Sequence, residues 1–477
     1  MQSTDLHPPG FKRAVVIGGG VAGLLSARVL SEHFEQVTLL ERDSLPKGPE
    51  ARKGVPQARH VHALLEAGRE ALEQLFPGLV QELCAEGAEP GDMGRDSAWF
   101  HAGAWKARFV SDIRTVLCTR AFLEWKVRGR VATLPGVTLR PECSVKALLA
   151  DPSRTRVTGV LLEGPGGEEA LEAELVVDAS GRGSKGSRWL EELGYGRPDV
   201  EQVEIDLAYT SCFFERPSSL PDWKVLVVYP RAPEGWRTGV ISCVEGGRWL
   251  VSLGGYFGHH APTDAEGFLA FAGSLARPEL HDALRGARPL SAPVTHRIPS
   301  SRWLHYERMA RWPEGFILLG DAVCALNPIY AQGLTVISKG TDLLARMLSA
   351  QARATPATRQ GFARRFQREL ARVLAMPWWM STTMDLQYPQ ARGRRPPGLG
   401  LVQRGFTLML DLTSRNANAC RRFYEVMHMR HGLGGLLTPS LMASFIAYSI
   451  QSLFVPLERR ANVTVCPPAP GGGHDTG

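Results

Sequence analysis

Residues Arg13-Ala14-Val15-Val16-Ile17 run into Gly18-Gly19-Gly20-Val21-Ala22-Gly23, and an acid, Glu41, closes the next apolar run, Val37-Thr38-Leu39-Leu40. The run ahead of the glycines reads as a buried parallel strand, and Val21 to about His33 as the helix that follows it. Gly18 makes the turn sharp, Gly20 lets the backbone approach a pyrophosphate, and Gly23 lets helix and strand pack closely. Val21 and Ala22 open the helix, whose free N–H groups and positive dipole end face the phosphates. Glu41 stands where an acid accepts hydrogen bonds from an adenosine ribose, and Arg42 beside it joins the same binding set. Glycines alone are a weak sign. With strand, helix and acid all in place, they predict a dinucleotide site.

A chain of 477 residues exceeds one compact core and should hold two or three units. The net charge of +7 raises nucleic acid as a partner. The basic residues are spread along the chain without an aromatic-studded stripe, so a solvated basic surface explains the charge and no nucleic-acid partner is expected. The eight cysteines form no C-x-x-C pair and have no histidine at ligand spacing. That predicts no metal, no disulfide framework and a reducing, cytoplasmic location. No apolar segment precedes the first strand, so no secretory signal is expected.

A Gly/Pro/Arg-rich loop spans Pro46 to Arg59, and His60-Val61-His62-Ala63-Leu64-Leu65 reads as the opening of a helix running towards Phe76. Arg120 to about Val131 reads as another helix. Leu175-Val176-Val177-Asp178 is a buried strand leading into Ala179-Ser180-Gly181-Arg182-Gly183-Ser184. Alternating, β-rich segments at Val203–Phe214, Val225–Tyr229, Gly239–Val244 and Arg248–Gly254 predict an antiparallel sheet inserted within the first unit. The nucleotide fold resumes at Gly315-Phe316-Ile317-Leu318-Leu319-Gly320-Asp321, with a helix from Gly333 to about Ser349. The uncharged stretch Gly432 to Leu457 is broken by Pro439, Pro456 and Gln451 and reads as a helix buried against the other units rather than a membrane span.

Three of these motifs, in this order, resemble the flavoprotein monooxygenases of the p-hydroxybenzoate hydroxylase fold, over about residues 13 to 375. They are the glycine fingerprint, Asp178-Ala179-Ser180-Gly181-Arg182-Gly183-Ser184, and Gly320-Asp321-Ala322 with Asn327-Pro328 and Gln332-Gly333-Leu334. Ala179 departs from that pattern, standing where a glycine is usual. The resemblance implies an α/β fold: a Rossmann-like FAD-binding domain (residues 11–90, 115–200 and 300–375), an inserted antiparallel β-sheet substrate domain (91–114 and 201–299), a C-terminal helical region (376–465) and a disordered tail (466–477). It implies FAD as cofactor and NADH or NADPH as electron donor.

The resemblance assigns Asp321 to the ribityl chain of FAD, Pro328 to the ring face where oxygen reacts, and the helix opened by Gly333 and Leu334 to the pyrimidine edge. It assigns Arg120 to the pyrophosphate and ribityl portion, and Asp178 and Arg182 to FAD and pyridine nucleotide. Arg59 is a second candidate for cofactor phosphate. In such enzymes reduced FAD and O2 give a flavin C4a-hydroperoxide that oxygenates an electron-rich carbon, so the flavin carries the chemistry and no catalytic side chain is assigned. Tyr209, Phe213, Val227, Tyr229 and Tyr256 are the candidate substrate-pocket residues, each readable equally as plain sheet core.

The Gln57-Ala58-Arg59-His60-Val61-His62-Ala63-Leu64 stretch and the helical C-terminus are similar to a subgroup from bacterial secondary metabolism. That subgroup includes polyether epoxidases and aurachin-type quinolone monooxygenases, with squalene epoxidase more distant. The likeness implies a lipophilic substrate, epoxidation or hydroxylation, a peripheral membrane contact by the uncharged stretch, and electrons that a separate flavin reductase could supply. Rival readings are an FAD-dependent prenyl or alkene reductase, a non-enzymatic lipophilic-ligand binding protein of the same fold, and a flavin-dependent halogenase. The last would carry Trp-x-Trp-x-Ile-Pro, and Pro377-Trp378-Trp379-Met380 is not that signature.

Overall fold

The structure, a computed structural model, describes residues 11–352, 360–454 and 466–468. The first half of the chain runs β1 (Phe11–Ile17), α1 (Val21–Leu30), β2 (Phe34–Leu40), α2 (Glu66–Leu75), β3 (Ser97–His101), α3 (Arg120–Ala132), β4 (Val137–Arg140) and β5 (Leu175–Asp178). Then follow β6 (Asp199–Glu215), β7 (Val225–Val228), β8 (Arg237–Val244), β9 (Arg248–Gly255), β10 (Val294–His305) and β11 (Phe316–Leu318). The chain continues through the helices α4 (Gly333–Ala352), α5 (Phe362–Asp385), α6 (Leu399–Leu412), α7 (Ala417–Met427) and α8 (Pro439–Phe454).

Two sheets place the site. The nucleotide sheet has five parallel strands in the order β4-β2-β1-β5-β11, the arrangement of a doubly wound dinucleotide fold. Ala14 to Ile17 and all of β5 are buried, as a parallel sheet covered on both faces demands. Helix α4 packs against α1, α2 and α5. The second sheet has eight strands: Cys324–Ala325, β10, β6, β9, β8, β7, β3 and Ala104–Trp105. It is not purely antiparallel, because β7 and β3 pair in parallel, Val225 opposite Ser97. A smaller sheet of three strands, Ser144–Ala150, Val157–Gly164 and Gly167–Glu172, lies between β4 and β5 in sequence.

Alternation drives the start of β6: residues 203 and 205 are buried between exposed neighbours, and a bulge between Glu204 and Leu207 turns the strand as it passes β10. A cluster of Trp99, Val227, Leu410, Cys420, Phe423 and Tyr424 then glues β3 and β7 to α6 and α7. The C-terminal helices thereby form a roof over the sheet.

Two expectations are corrected. The helix expected from His60 begins only at Glu66, after a short 3₁₀ turn at Pro56–Arg59. The intervening residues are drawn to the large sheet instead: the Val61 N–H donates to Ser252 Oγ at 3.0 Å and His60 Nδ1 meets Ser211 Oγ at 2.7 Å. The uncharged C-terminal stretch is not a buried helix. In α8 only Leu441, Tyr448 and Ser452 are buried, while Ile446, Ile450, Leu453 and Phe454 are exposed. No helix of the described residues is long and apolar enough to cross a membrane. All eight cysteines are free thiols. Of the expected disordered tail, residues 469–477 lie outside the described residues, as do residues 455–465 of the expected helical region.

Candidate functional site

A cavity of about 800 Å³ opens at the C-terminal ends of the nucleotide strands and continues between the eight-stranded sheet and the helical roof. Gly18, Gly20, Val21, Ala22, Glu41, Arg42, Arg120, Asp321, Pro328, Gly333 and Leu334 all border it, as do Tyr209, Val227 and Tyr229. Five expected residues do not. Gly23 is buried in α1, where an added Cβ would stand 1.8 Å from the Gly18 carbonyl oxygen. Arg59 is exposed and off the cavity wall. Asp178 is fully buried behind the wall. Phe213 lies under the Arg248 guanidinium, 4.8 Å from its ring. Tyr256 is buried and its hydroxyl accepts from Asn327 Nδ2 at 3.2 Å.

The nucleotide end is built from backbone. Gly18, at φ +104°, turns where any side chain would strike Ala179 at 2.7 Å. Gly20 is the N-cap of α1 and, having no side chain, caps nothing, so the first-turn N–H groups stay free for a ligand. Glu41 is not free. It accepts from Gly19 N at 2.7 Å and Asp43 N at 2.9 Å and pairs with Arg52 at 2.8 Å. Burial opposes its ionisation, but Arg52 and these donors outweigh it and hold the carboxyl below its ordinary range. Arg52 also pairs with Glu124 at 2.7 Å and borders the cavity. Sequence reasoning passed over Arg52 in favour of Arg59. The signal available was the basic loop that holds both.

Asp178 shapes the second motif. It accepts from Ser180 N at 3.0 Å, Ser180 Oγ at 2.5 Å and Ser184 Oγ at 2.6 Å, and burial pushes its carboxyl up. The turn so fixed displays Arg182 on the cavity, where its Nη1 donates to the Ser300 carbonyl at 2.9 Å. In the third motif, Gly320 at φ +67° lets the chain leave β11, and Asp321 stands half-buried on the wall. Among the described residues no hydrogen bond ties down its side chain.

These residues fit a flavin dinucleotide. A Cβ at Gly20 or Gly333 would meet nothing within 4 Å, so both backbones face open space. Arg120 Nε and Gln332 Oε1, both on residues that border the cavity, are buried without a hydrogen-bond partner, Gln332 directly ahead of α4. A polar ligand is the ordinary remedy for such atoms.

The other end of the cavity is apolar. Met380 and Met384 of α5, Phe406 and Leu410 of α6, and Phe423 and Met427 of α7 face Trp99, Val227 and Tyr229 across it. The sequence reading missed this roof, although each pair has the i, i+4 spacing of one helical face. It also missed four histidines on the wall, His60, His62, His296 and His428. Burial lowers the pKa of His60 to about 4 and, with the nearby Arg120 charge, that of His62 to about 3. His62 Nδ1 lies 3.0 Å from the His60 carbonyl oxygen. A carbonyl can only accept, so the proton sits on Nδ1 and Nε2 is left as an acceptor. His101 borders the cavity stacked on Trp99, whereas His259 stacks on Trp236 away from it.

The FAD dependent oxidoreductase family matches residues 14–188 of this chain, and the tryptophan halogenase family matches residues 274–385. Protein Rv3254 of Mycobacterium tuberculosis is 34% identical over 405 residues, which are 81% of this chain and 84% of that protein. Among solved structures, PqsL, a probable FAD-dependent monooxygenase from Pseudomonas aeruginosa, superposes with a TM-score of 0.61 at 18% identity, over 80% of this chain and 97% of its own. The p-nitrophenol 4-monooxygenase PnpA from Pseudomonas putida superposes at 0.60 and 18% identity, over 87% and 96%. At such identity the likeness is one of fold.

Proposed function

The chain belongs to the FAD-dependent oxidoreductases, in one family with Protein Rv3254, and from that premise we propose that it is a monooxygenase that oxygenates a lipophilic small molecule with O2. The reaction is an epoxidation or a hydroxylation, with electrons from NADH or NADPH, directly or through a separate reductase. The observation that carries this reading is the continuity of one cavity. Gly20 and Gly333 border it at one end, and the apolar wall of the eight-stranded sheet borders it at the other.

Bound FAD would supply the activation of O2. The free N–H groups of α1, with Arg42 and Arg120, would hold its phosphates, and Asp321 its ribityl hydroxyls. The first turn of α4 carries no acidic residue, so its positive dipole end is available to negative charge. Pro328 and Leu334 complete the wall there. On the substrate side the aromatic and methionine surface excludes water, which protects an oxygenating species from wasteful release of peroxide. Unbranched methionines adapt to a bulky apolar guest. The neutral histidines place no extra cation beside the reacting carbon.

A halogenating activity is the second reading, favoured by the match of residues 274–385. The absence of Trp-x-Trp-x-Ile-Pro from the chain speaks against it.

The test begins with an absorbance spectrum of the purified protein, expected to be yellow with the bands of oxidised flavin. O2 uptake with NADH and NADPH follows over a panel of lipophilic metabolites, with and without bromide and an added flavin reductase. Products heavier by one oxygen support the reading. Brominated products, or alkene reduction without O2 uptake, would replace it. Asp321→Ala should lower flavin occupancy at least severalfold, as expected when a hydrogen bond to a charged acceptor is lost.

A further inference from the structure

Behind the flavin end of the cavity lies a buried carboxyl that the reaction does not require. Asp385 closes α5 and is fully buried, and no ion pair reaches it among the described residues. Its Oδ1 accepts from Asn327 Nδ2 at 2.8 Å and from Tyr330 OH at 2.8 Å, while Oδ2 has no partner. Asn327 is itself fully buried, and its Oδ1 accepts from Ile329 N at 3.1 Å. One carboxyl thus grips both ends of the segment that holds Pro328 and Ile329. The next residue, Ala331, sits at φ +57°, a conformation that a non-glycine keeps only when its surroundings enforce it. Gly333 and α4 follow directly.

The segment is a thin wall. Pro328, Ile329 and Tyr330 border the main cavity, and Ile329 and Tyr330 also border a second cavity of about 50 Å³ behind them. Tyr256, Met384 and Tyr388 line that smaller space, which gives the wall room to retreat.

We propose that Asp385 is the positioning residue of this site: through Asn327 and Tyr330 it fixes the wall that lays Pro328 and the first turn of α4 against the flavin, and its protonation state sets how firmly the flavin is held. The proposal rests on the flavin reading above. The titratable groups facing Asp385 are all tyrosines: Tyr330 on the wall, Tyr256 after β9, Tyr209 on β6 and Tyr388 beyond α5. Burial, with the Asp385 charge added, pushes each of them up, so they stay neutral. Burial likewise raises the Asp385 pKa to about 7, against the two hydrogen bonds that favour its charge. Both forms are therefore present near neutrality. The ionised form makes the stronger hydrogen bonds and grips the wall more tightly.

The experiment is release of FAD from the purified holoprotein, followed by flavin fluorescence from pH 5.5 to 9, alongside the visible spectrum of the bound flavin. Wild type should bind FAD about fivefold more tightly above pH 7 than below it, the difference between charged and neutral hydrogen bonds. Asp385→Asn keeps the shape and should remove this dependence. Tyr330→Phe should weaken it, and Asp385→Ala should lose FAD about tenfold more readily at every pH. A wild-type affinity that ignores pH overturns the proposal, as does an Asp385→Asn protein that keeps the wild-type slope. If Asp385→Ala does not fold, the volume-conserving Asp385→Asn and Tyr330→Phe decide alone. A wild-type protein that takes up no flavin at any pH is a separate outcome, which removes the flavin reading and this proposal with it.

Discussion

Arg52 is enclosed between two carboxylates, its side chain 3% exposed, with Glu41 at 2.8 Å and Glu124 at 2.7 Å. Arg52→Met would leave both acids buried without a cation, at a cost of about 3–5 kcal/mol in urea unfolding at pH 7. The sign of the pH effect follows from Glu41. Its folded pKa lies below the unfolded value, so its stabilisation is present above about pH 4.5 and is lost as pH falls through the folded pKa. The gap between Arg52→Met and wild type should therefore narrow in acid. A gap independent of pH would show that Glu41 contributes nothing through its charge. Gly23→Ala should cost about 1–3 kcal/mol and lower flavin content, because its Cβ would stand 1.8 Å from the Gly18 oxygen. The glycine roles were legible in the sequence because each is a local stereochemical demand. The choice of Arg52 over Arg59 was not. Both sit in one loop, and Arg52 faces inward because Glu41 and Glu124, distant from it in sequence, meet it there.

At the scale of elements, periodicity found β5 to the residue and β6 to β9 of the large sheet to within a few positions, but not β3, β10 or the two short outer strands. It failed at His60, where tertiary hydrogen bonds to Ser211 and Ser252 hold the chain extended. It also failed to see the roof. The i, i+4 pairs of α5, α6 and α7 mark an apolar face, but nothing local says which surface that face will cover. Phe423 of α7 shows the consequence. It borders the cavity and lies 6.2 Å from the Trp99 ring. Phe423→Ala should destabilise the protein by about 3–5 kcal/mol and admit water to the substrate end. Chemical denaturation measures the first effect. The second should appear as more hydrogen peroxide per NAD(P)H consumed, and unchanged coupling would place α7 outside the barrier to water.

For the whole molecule, buried groups set opposing dependences on pH. His60 and His428 have folded pKa values of about 4 and about 3, below the ordinary histidine value, so the unfolded chain takes up protons first and stability falls as pH drops from about 6.5 towards 4. Asp385, raised to about 7, works the other way: the folded state holds the extra proton, and stability falls as pH rises from about 4 through 7. The two slopes partly cancel in wild type. In thermal melts between pH 4 and 6.5, Asp385→Asn should therefore lose stability on acidification more steeply than wild type, and His428→Leu less steeply. The same order of slopes in all three proteins would refute this balance. A last consequence follows from the strand order of the nucleotide sheet. Its outer strand β11 starts at Phe316, although its neighbour β5 ends at Asp178, and five strands of the eight-stranded sheet, β6 to β10, are threaded between them. A growing polypeptide on the ribosome thus cannot complete its five-stranded sheet until β6 to β10 have emerged, and must carry the exposed edge of β5 throughout that interval.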